Sequence, residues 1–174
     1  REREALANML DAYRDYFVAV LRGDARARFE TRIAARAARS NAQASLERLR
    51  HEPRGRERLP QAEALVAHAN RFMRAAMALE AARADAHDQP LPNELSAFSD
   101  RCAGALSEIA HALRVGCAPQ GEFDLRRTQQ ALASTLRAQH SQTSPALSAA
   151  LLDASDRIVD SIDSLLHVLE ARDK

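Results

Sequence analysis

The chain has no tryptophan, one lysine (Lys174), five glycines and two cysteines. Aromatic residues make up 4% of it. Val and Ile are also sparse, so the residues that favour strands are thin and a β-sheet is not expected. Glycine is too scarce for a phosphate-cradling loop, and no Gly-x-Ser-x-Gly elbow is present. Gly116 and Gly121 flank Pro119 and read as turn punctuation. No apolar run approaches the roughly 18 residues that cross a bilayer. On a continuous helix Cys102 and Cys117 would stand ~22 Å apart. A disulfide needs Cα atoms within about 7 Å. Two unbridged thiols suit a reducing compartment.

Metal and nucleophile chemistry finds equally little. The six histidines contain no i, i+4 pair of the kind a helical zinc site uses. His111 with Cys102 and Cys117 forms only a loose trio, and Cys102 falls on an apolar stripe, where a thiol serves as a small core residue. No catalytic residue, cofactor or metal ion is expected. The chain opens on Arg1-Glu2-Arg3-Glu4 without an initiator Met, which predicts a piece of a longer protein.

What is abundant is alanine and arginine. Hydrophobic residues reach 46%, and alanine fixes into a helix at the lowest entropic cost. Basic and acidic residues number 25 and 24, a net charge of +1, so no bulk attraction to nucleic acid is implied. The charge is unevenly spread. Residues 24–58 carry ten arginines against five acids, and residues 141–174 carry three basic residues against six acids.

Apolar side chains recur at helical spacing in six segments. The first, about 2–22, uses Leu6, Leu10, Tyr13, Phe17 and Val20. Gly23 ends it and Asp24 caps the next. The second, about 25–51, stops before Glu52-Pro53, because a residue preceding proline resists the helical conformation. Pro53-Arg54-Gly55-Arg56 reads as a linker. The third starts near Pro60 and uses Leu65, Ala69, Phe72, Ala76 and Leu79. Gln89-Pro90-Leu91-Pro92 is the best internal boundary, with Asn93 as the following N-cap. The fourth uses Leu95, Phe98, Cys102, Leu106, Ile109 and Leu113, and the fifth spans about 123–139. Ser144-Pro145 starts the sixth, with Leu147, Leu151, Ala154, Ile158, Ile162, Leu165 and Leu169 within about 80° of arc. Leu152, Val159 and Leu166 widen that arc to about 160°, enough for two neighbours.

The expected fold is all-α, an up-down antiparallel bundle of about six helices in one domain, 1–174. Residues 1–89 would hold three helices and 93–174 the other three; no repeat at a solenoid period is evident, and two similar three-helix halves are one arrangement open to the bundle. Helices two and three are expected to form a long hairpin.

Two charged faces stand out. Asp153, Asp156, Asp160 and Asp163 share about 80° of the sixth helix, opposite its apolar stripe. Such a face reads first as solvated, and otherwise as a docking surface for a basic partner; carboxylates that catalyse need burial to shift their pKa. Arg28, Arg32, Arg36, Arg39 and Arg50 share one side of the second helix. They read as a polar face paired locally with acids, or as a surface touching lipid head groups or another subunit. Arg36 lies beside Phe29 and, if buried, needs a partner.

The first third resembles a known family. Leu6 through Phe17 (Leu-Ala-Asn-Met-Leu-Asp-Ala-Tyr-Arg-Asp-Tyr-Phe) is similar to the helix leaving the last membrane segment in fusaric acid resistance (FUSC) and aromatic acid exporter-like proteins. The Arg- and Ala-rich stretch from Arg32 to Leu49, closing on Glu52-Pro53, is similar to the helix that follows there. Tyr13, Tyr16, Arg32, Arg36, Arg39, Asn41, Leu46, Glu52 and Pro53 carry the likeness. It covers residues 5–53 well and 60–82 loosely.

The resemblance implies a non-catalytic helical domain on the cytoplasmic face of a bacterial inner membrane, serving assembly or regulation of an exporter of aromatic acids or similar compounds. Its implied partners are the membrane domain of the same polypeptide and a second copy in a homo-oligomer. A periplasmic adaptor would concern the full-length protein only, and nucleic acid is not expected. The alternative is a free-standing regulatory bundle, resembling phosphate-uptake regulators, that binds a protein partner or a metal.

The helix-face assignment is open to test by denaturation. Ile158→Ala should cost about 2–5 kcal/mol, whereas Asp160→Ala should be near neutral. Equal losses in urea melts would show that the face was misassigned.

Overall fold

The computed structural model describes residues 1–53, 55–86, 89, 91–138 and 143–171. Six helices make up the fold: α1 (Glu2–Arg22), α2 (Ala25–His51), α3 (Leu59–Ala86), α4 (Glu94–Val115), α5 (Leu125–Ala138) and α6 (Pro145–Glu170). No strand occurs among the described residues. The fold is the all-α bundle that the periodicity predicts.

Local chemistry sets most of the boundaries. Gly23 and Gly116 end α1 and α4 in the left-handed conformation, at φ 76° and 82°, which costs glycine little. Asp24 accepts a hydrogen bond from the Ala27 amide at 2.9 Å, and Ser144 accepts one from Leu147 at 3.2 Å. Glu52 is extended ahead of Pro53 and closes α2.

Two starts differ from expectation. Asn93 makes no side-chain cap and is itself helical, at φ −61° and ψ −31°. Backbone bonds from Leu95 to Pro92 and from Ser96 to Asn93 already occupy the first free amides. The fifth helix begins at Leu125 rather than 123, because Asp124 adopts φ 45°. Its expected last residue, 139, lies outside the described residues, as do Arg54 of the linker and Pro90 of the proline loop.

The packing corrects the hairpin expectation. α2 packs chiefly on α1 and meets α3 only slightly, while the most extensive pairings are α3 with α6 and α1 with α2 and α4. The reason lies in α2's narrow buried face of Ala35, Ala42, Ser45, Leu46 and Leu49, which is wide enough for one neighbour. α1, α3, α4 and α6 form the central four-helix core. α2 lies outside on α1, and α5 lies outside on α4 and α6.

The two halves repeat this plan, since in each the middle helix is the outer one. Met9, Tyr13, Tyr16, Phe17, Ala19 and Val20 are buried before Gly23. Cys102, Leu106, Ile109, Ala110, Ala112 and Leu113 are buried at matching distances before Gly116.

The core is continuous through both halves. Tyr13, Tyr16, Phe17, Phe72 and Phe98 are its largest fully buried side chains. Phe17 meets Phe72 edge to face, with ring centroids 5.4 Å apart, a favoured aromatic geometry. On α6 Val159 is buried, and Leu152 and Leu166 are half-buried against the core. The wide apolar sector therefore serves contacts with both α3 and α5. Cys102 is buried and Cys117 exposed, both as free thiols.

Across α1 and α4, Arg114 binds Asp11 at 2.6 Å and Asn8 at 2.7 Å. Arg14 reaches Asp11 at 2.8 Å and Ser107 at 2.9 Å. These partners run in opposite directions along the two helices, as antiparallel neighbours require.

Gly55, read from sequence as linker, is buried on the end of α2. A Cβ there would stand 2.0 Å from the Leu49 carbonyl oxygen, whereas one on Gly104 would meet nothing within 4 Å. Gly55→Ala should lower stability by about 1–3 kcal/mol, and Gly104→Ala should raise it by about 0.5–1 kcal/mol. Urea denaturation with an unchanged m-value checks both; a neutral Gly55→Ala would rule out the close approach.

Candidate functional site

A part-buried polar cluster lies where α1, α2 and α3 converge. α1 turns both tyrosines into the core, so each hydroxyl needs a partner away from bulk water. The Tyr13 hydroxyl donates to Asn70 Oδ1 at 2.9 Å. The Tyr16 hydroxyl donates to Glu80 Oε2 in a short bond. Burial raises the pKa of both phenols. For Tyr16 the bond to Glu80 and that carboxylate's charge add to the rise, against the pull of Arg32 and Arg28. For Tyr13 the field of Arg39 opposes it. Both phenols therefore stay protonated as donors at neutral pH.

One cation faces Glu80 and two more lie near the same seam. Arg32 Nη1 of α2 lies 3.9 Å from its carboxylate. From α3, Arg83 Nη1 donates to the carbonyls of Val20 at 2.7 Å and Leu21 at 2.6 Å. These are end groups of α1, where the helix presents unpaired acceptors and partial negative charge. Gly23 leaves room for that guanidinium, since a Cβ there would stand 3.0 Å from Arg83 Nη2. Desolvation, then the charge of Arg28, lowers the pKa of Arg83. Arg28 is half-buried, and its Nε is buried without a hydrogen-bond partner among the described residues. Glu80 is thus an anchor among like charges. The arrangement holds both phenols as donors and ties α1 to α3.

The residues carrying the family likeness divide into three groups. Tyr13, Tyr16 and Arg32 gather in this seam, and exposed Arg39 acts on Tyr13 through its charge. Leu46 enters the core, and Glu52-Pro53 ends α2, with Glu52 3.6 Å from Arg58. Arg36 and Asn41 point outward and are exposed. Phe29 is 67% exposed and Arg36 beside it is exposed too, so the condition under which Arg36 would need a buried partner does not arise; both lie on the side of α2 turned away from α1. Elsewhere on the arginine face, Arg50 pairs with Glu47 at 2.8 Å and Glu63 at 2.7 Å. Pairing with local acids is what this face does at Arg32 and Arg50.

Three of the four α6 aspartates are already engaged. Arg126 of α5 bridges Asp156 and Asp160, and Arg157 holds Asp153 at 3.1 Å. Asp163 makes no ion pair among the described residues, and partial desolvation raises its pKa against the pull of Arg126. The row therefore clamps α5 onto α6. A cleft of about 410 Å³ beside it, between α3 and α6, is lined by Arg71, Arg74, Asp153, Arg157 and Asp160. No group of three His, Cys, Asp or Glu among the described residues could hold a metal ion.

Sequence reasoning missed Asn70, Glu80, Arg83 and Arg126. Arg83 gave a usable signal. At about 100° per residue it falls on the same stripe as Leu65, Phe72 and Ala76, and a cation on an apolar stripe requires acceptors.

No family model, curated protein or solved structure matches the chain.

The cluster separates two variants by salt. Tyr16→Phe should cost about 1–3 kcal/mol by leaving Glu80 short of a donor, with little salt dependence because the phenol is neutral. Glu80→Gln should destabilise more at low than at high ionic strength, because salt screens the repulsion among Arg28, Arg32 and Arg83. Denaturant melts at two salt concentrations check this; parallel salt responses would remove Glu80 as the neutralising anchor.

Proposed function

We propose that this bundle is a non-catalytic domain on the cytoplasmic face of a FUSC-type inner-membrane exporter of aromatic acids or similar compounds, and that it serves assembly or regulation. One observation carries the reading. Of the residues that carry the sequence likeness, Tyr13, Tyr16 and Arg32 meet in one seam joining α1, α2 and α3, and the charge of exposed Arg39 acts on Tyr13. This part of the motif supports a task of fixing the first helix of the domain to the two that follow.

In this role α1 follows a membrane segment elsewhere in the same polypeptide, and the seam fixes it to the two helices that come after it. No described helix is long and apolar enough to cross a membrane. Transport therefore belongs to other parts of the full-length protein, as would any contact with a periplasmic adaptor. A second copy could pair through the domain without adding chemistry.

Fractionation of the native source tests the reading. The full gene product should pellet with membranes and resist alkaline carbonate extraction. Removing residues 1–174 should abolish its stable assembly without removing the apolar segments. A gene product lacking apolar runs of about 20 residues would overturn the assignment.

A further inference from the structure

The outer face of α2 has no role in the fold. Its buried residues, Ala35, Ala42, Leu46 and Leu49, lie on one side. Diametrically opposite, Arg26, Phe29, Ile33, Arg36 and Ser40 share about 80° of arc, and every one is exposed. Phe29 is 67% and Ile33 54% exposed. Four large hydrophobic side chains are exposed among the described residues, and these two stand one turn apart on the same ridge. Arg26 and Arg36 flank them along the helix axis. Arg26 pairs only with Glu30 on its own helix, at 2.8 Å, and Arg36 has no ion pair among the described residues.

We infer that this ridge docks on an anionic lipid surface, with Phe29 and Ile33 entering the head-group region and Arg26 and Arg36 binding lipid phosphates. Large apolar side chains bracketed by arginines match both properties of such an interface, its apolar depth and its negative charge. Arginine stems can lie along the apolar layer while their guanidinium groups stay with the phosphates.

A second copy of this chain fits poorly. In a two-fold antiparallel pairing centred between Phe29 and Ile33, Arg26 of one copy faces Arg36 of the other. In a parallel pairing each arginine faces its own counterpart. Both place like charges opposite one another.

The ridge runs along the helix, so both apolar side chains enter together only if α2 lies flat on the surface. α1, packed antiparallel behind it, then also lies parallel to the bilayer. The inference sharpens the exporter reading and rests on it for the presence of a bilayer beside the domain.

The absence of tryptophan allows single-tryptophan reporters in the 174-residue chain. Phe29→Trp and Ile33→Trp should each shift their emission to shorter wavelength with vesicles containing phosphatidylglycerol. Val115→Trp, at the exposed end of α4, should not. Ile33→Asp should lower vesicle affinity about tenfold or more, and Arg26→Gln and Arg36→Gln about fivefold each. All three variants should keep the parent's circular dichroism and Tm.

No shift at low salt, equal binding to phosphatidylcholine vesicles, or a matching shift from Val115→Trp would overturn the inference. So would a dimer in sedimentation that Ile33→Asp dissolves. Failure here leaves the exporter reading standing if the native product is membrane-embedded. Vesicle binding by a protein whose gene encodes no membrane segment would sink that reading and spare this one.

Discussion

The structure depends on the burial of α1 among three neighbours. α2, α3 and α4 all pack on it, and its two tyrosines and Phe17 are almost wholly removed from water. An aliphatic helix in that position would need only matching shapes. A helix carrying two phenols also needs acceptors at fixed places. Asn70 and Glu80 supply them from α3, and a half-buried carboxylate is in turn favoured by nearby cations. The arginines of α2 and α3 follow from that requirement. The polar seam sets the register of α3 on α1 more tightly than apolar contact alone, since an acceptor one turn away would leave a buried hydroxyl unsatisfied.

The same logic operates at the end of α1. Its last carbonyls are covered by the neighbouring helix and turn, so water cannot satisfy all of them. Arg83 does so from α3, and Gly23 is the residue that lets the guanidinium approach. Turn, helix end and cation form one unit. The corresponding turn of the second half, at Gly116, closes by a backbone bond to Ala112. The two halves share a plan of buried positions.

Fold class and helix limits were legible in the sequence because they depend on local spacing. The stripe from Leu147 to Leu169, the Ser144-Pro145 start and the two terminating glycines each act within a turn or two of their own position. The packing order was not legible, because it depends on how wide a face each helix buries. Short loops alone suggested an α2–α3 hairpin, whereas α2 offers mostly alanine and covers a single neighbour. The partners of Tyr13 and Tyr16 were hidden for a related reason. Asn70 lies 57 residues beyond Tyr13, and Glu80 lies 64 beyond Tyr16, and no local pattern joins residues so far apart. The acidic row on α6 was found as a row but not as a clamp, since its meaning depends on Arg126 arriving from α5.

The outer helices show what folding does and does not require. α5, with 14 residues, is held to α6 through Arg126 and buries Leu125, Leu132 and Leu136. α2, with 27 residues, is nearly twice as long and does its structural work with one narrow side. Its other exposed positions, such as Ala34, Ala37, Ser40 and Ala44, are small or polar, as a face that meets only water needs to be. Phe29 and Ile33 depart from that pattern at the place farthest from the core. Adjacent large apolar side chains in water invite association, and the bundle gains no packing from them. Their position between Arg26 and Arg36 makes association with another copy electrostatically poor and leaves a negatively charged, apolar-backed surface as the counterpart that suits them. The constraint that buries one side of α2 is therefore separate from whatever acts on the other, and the two can be altered independently.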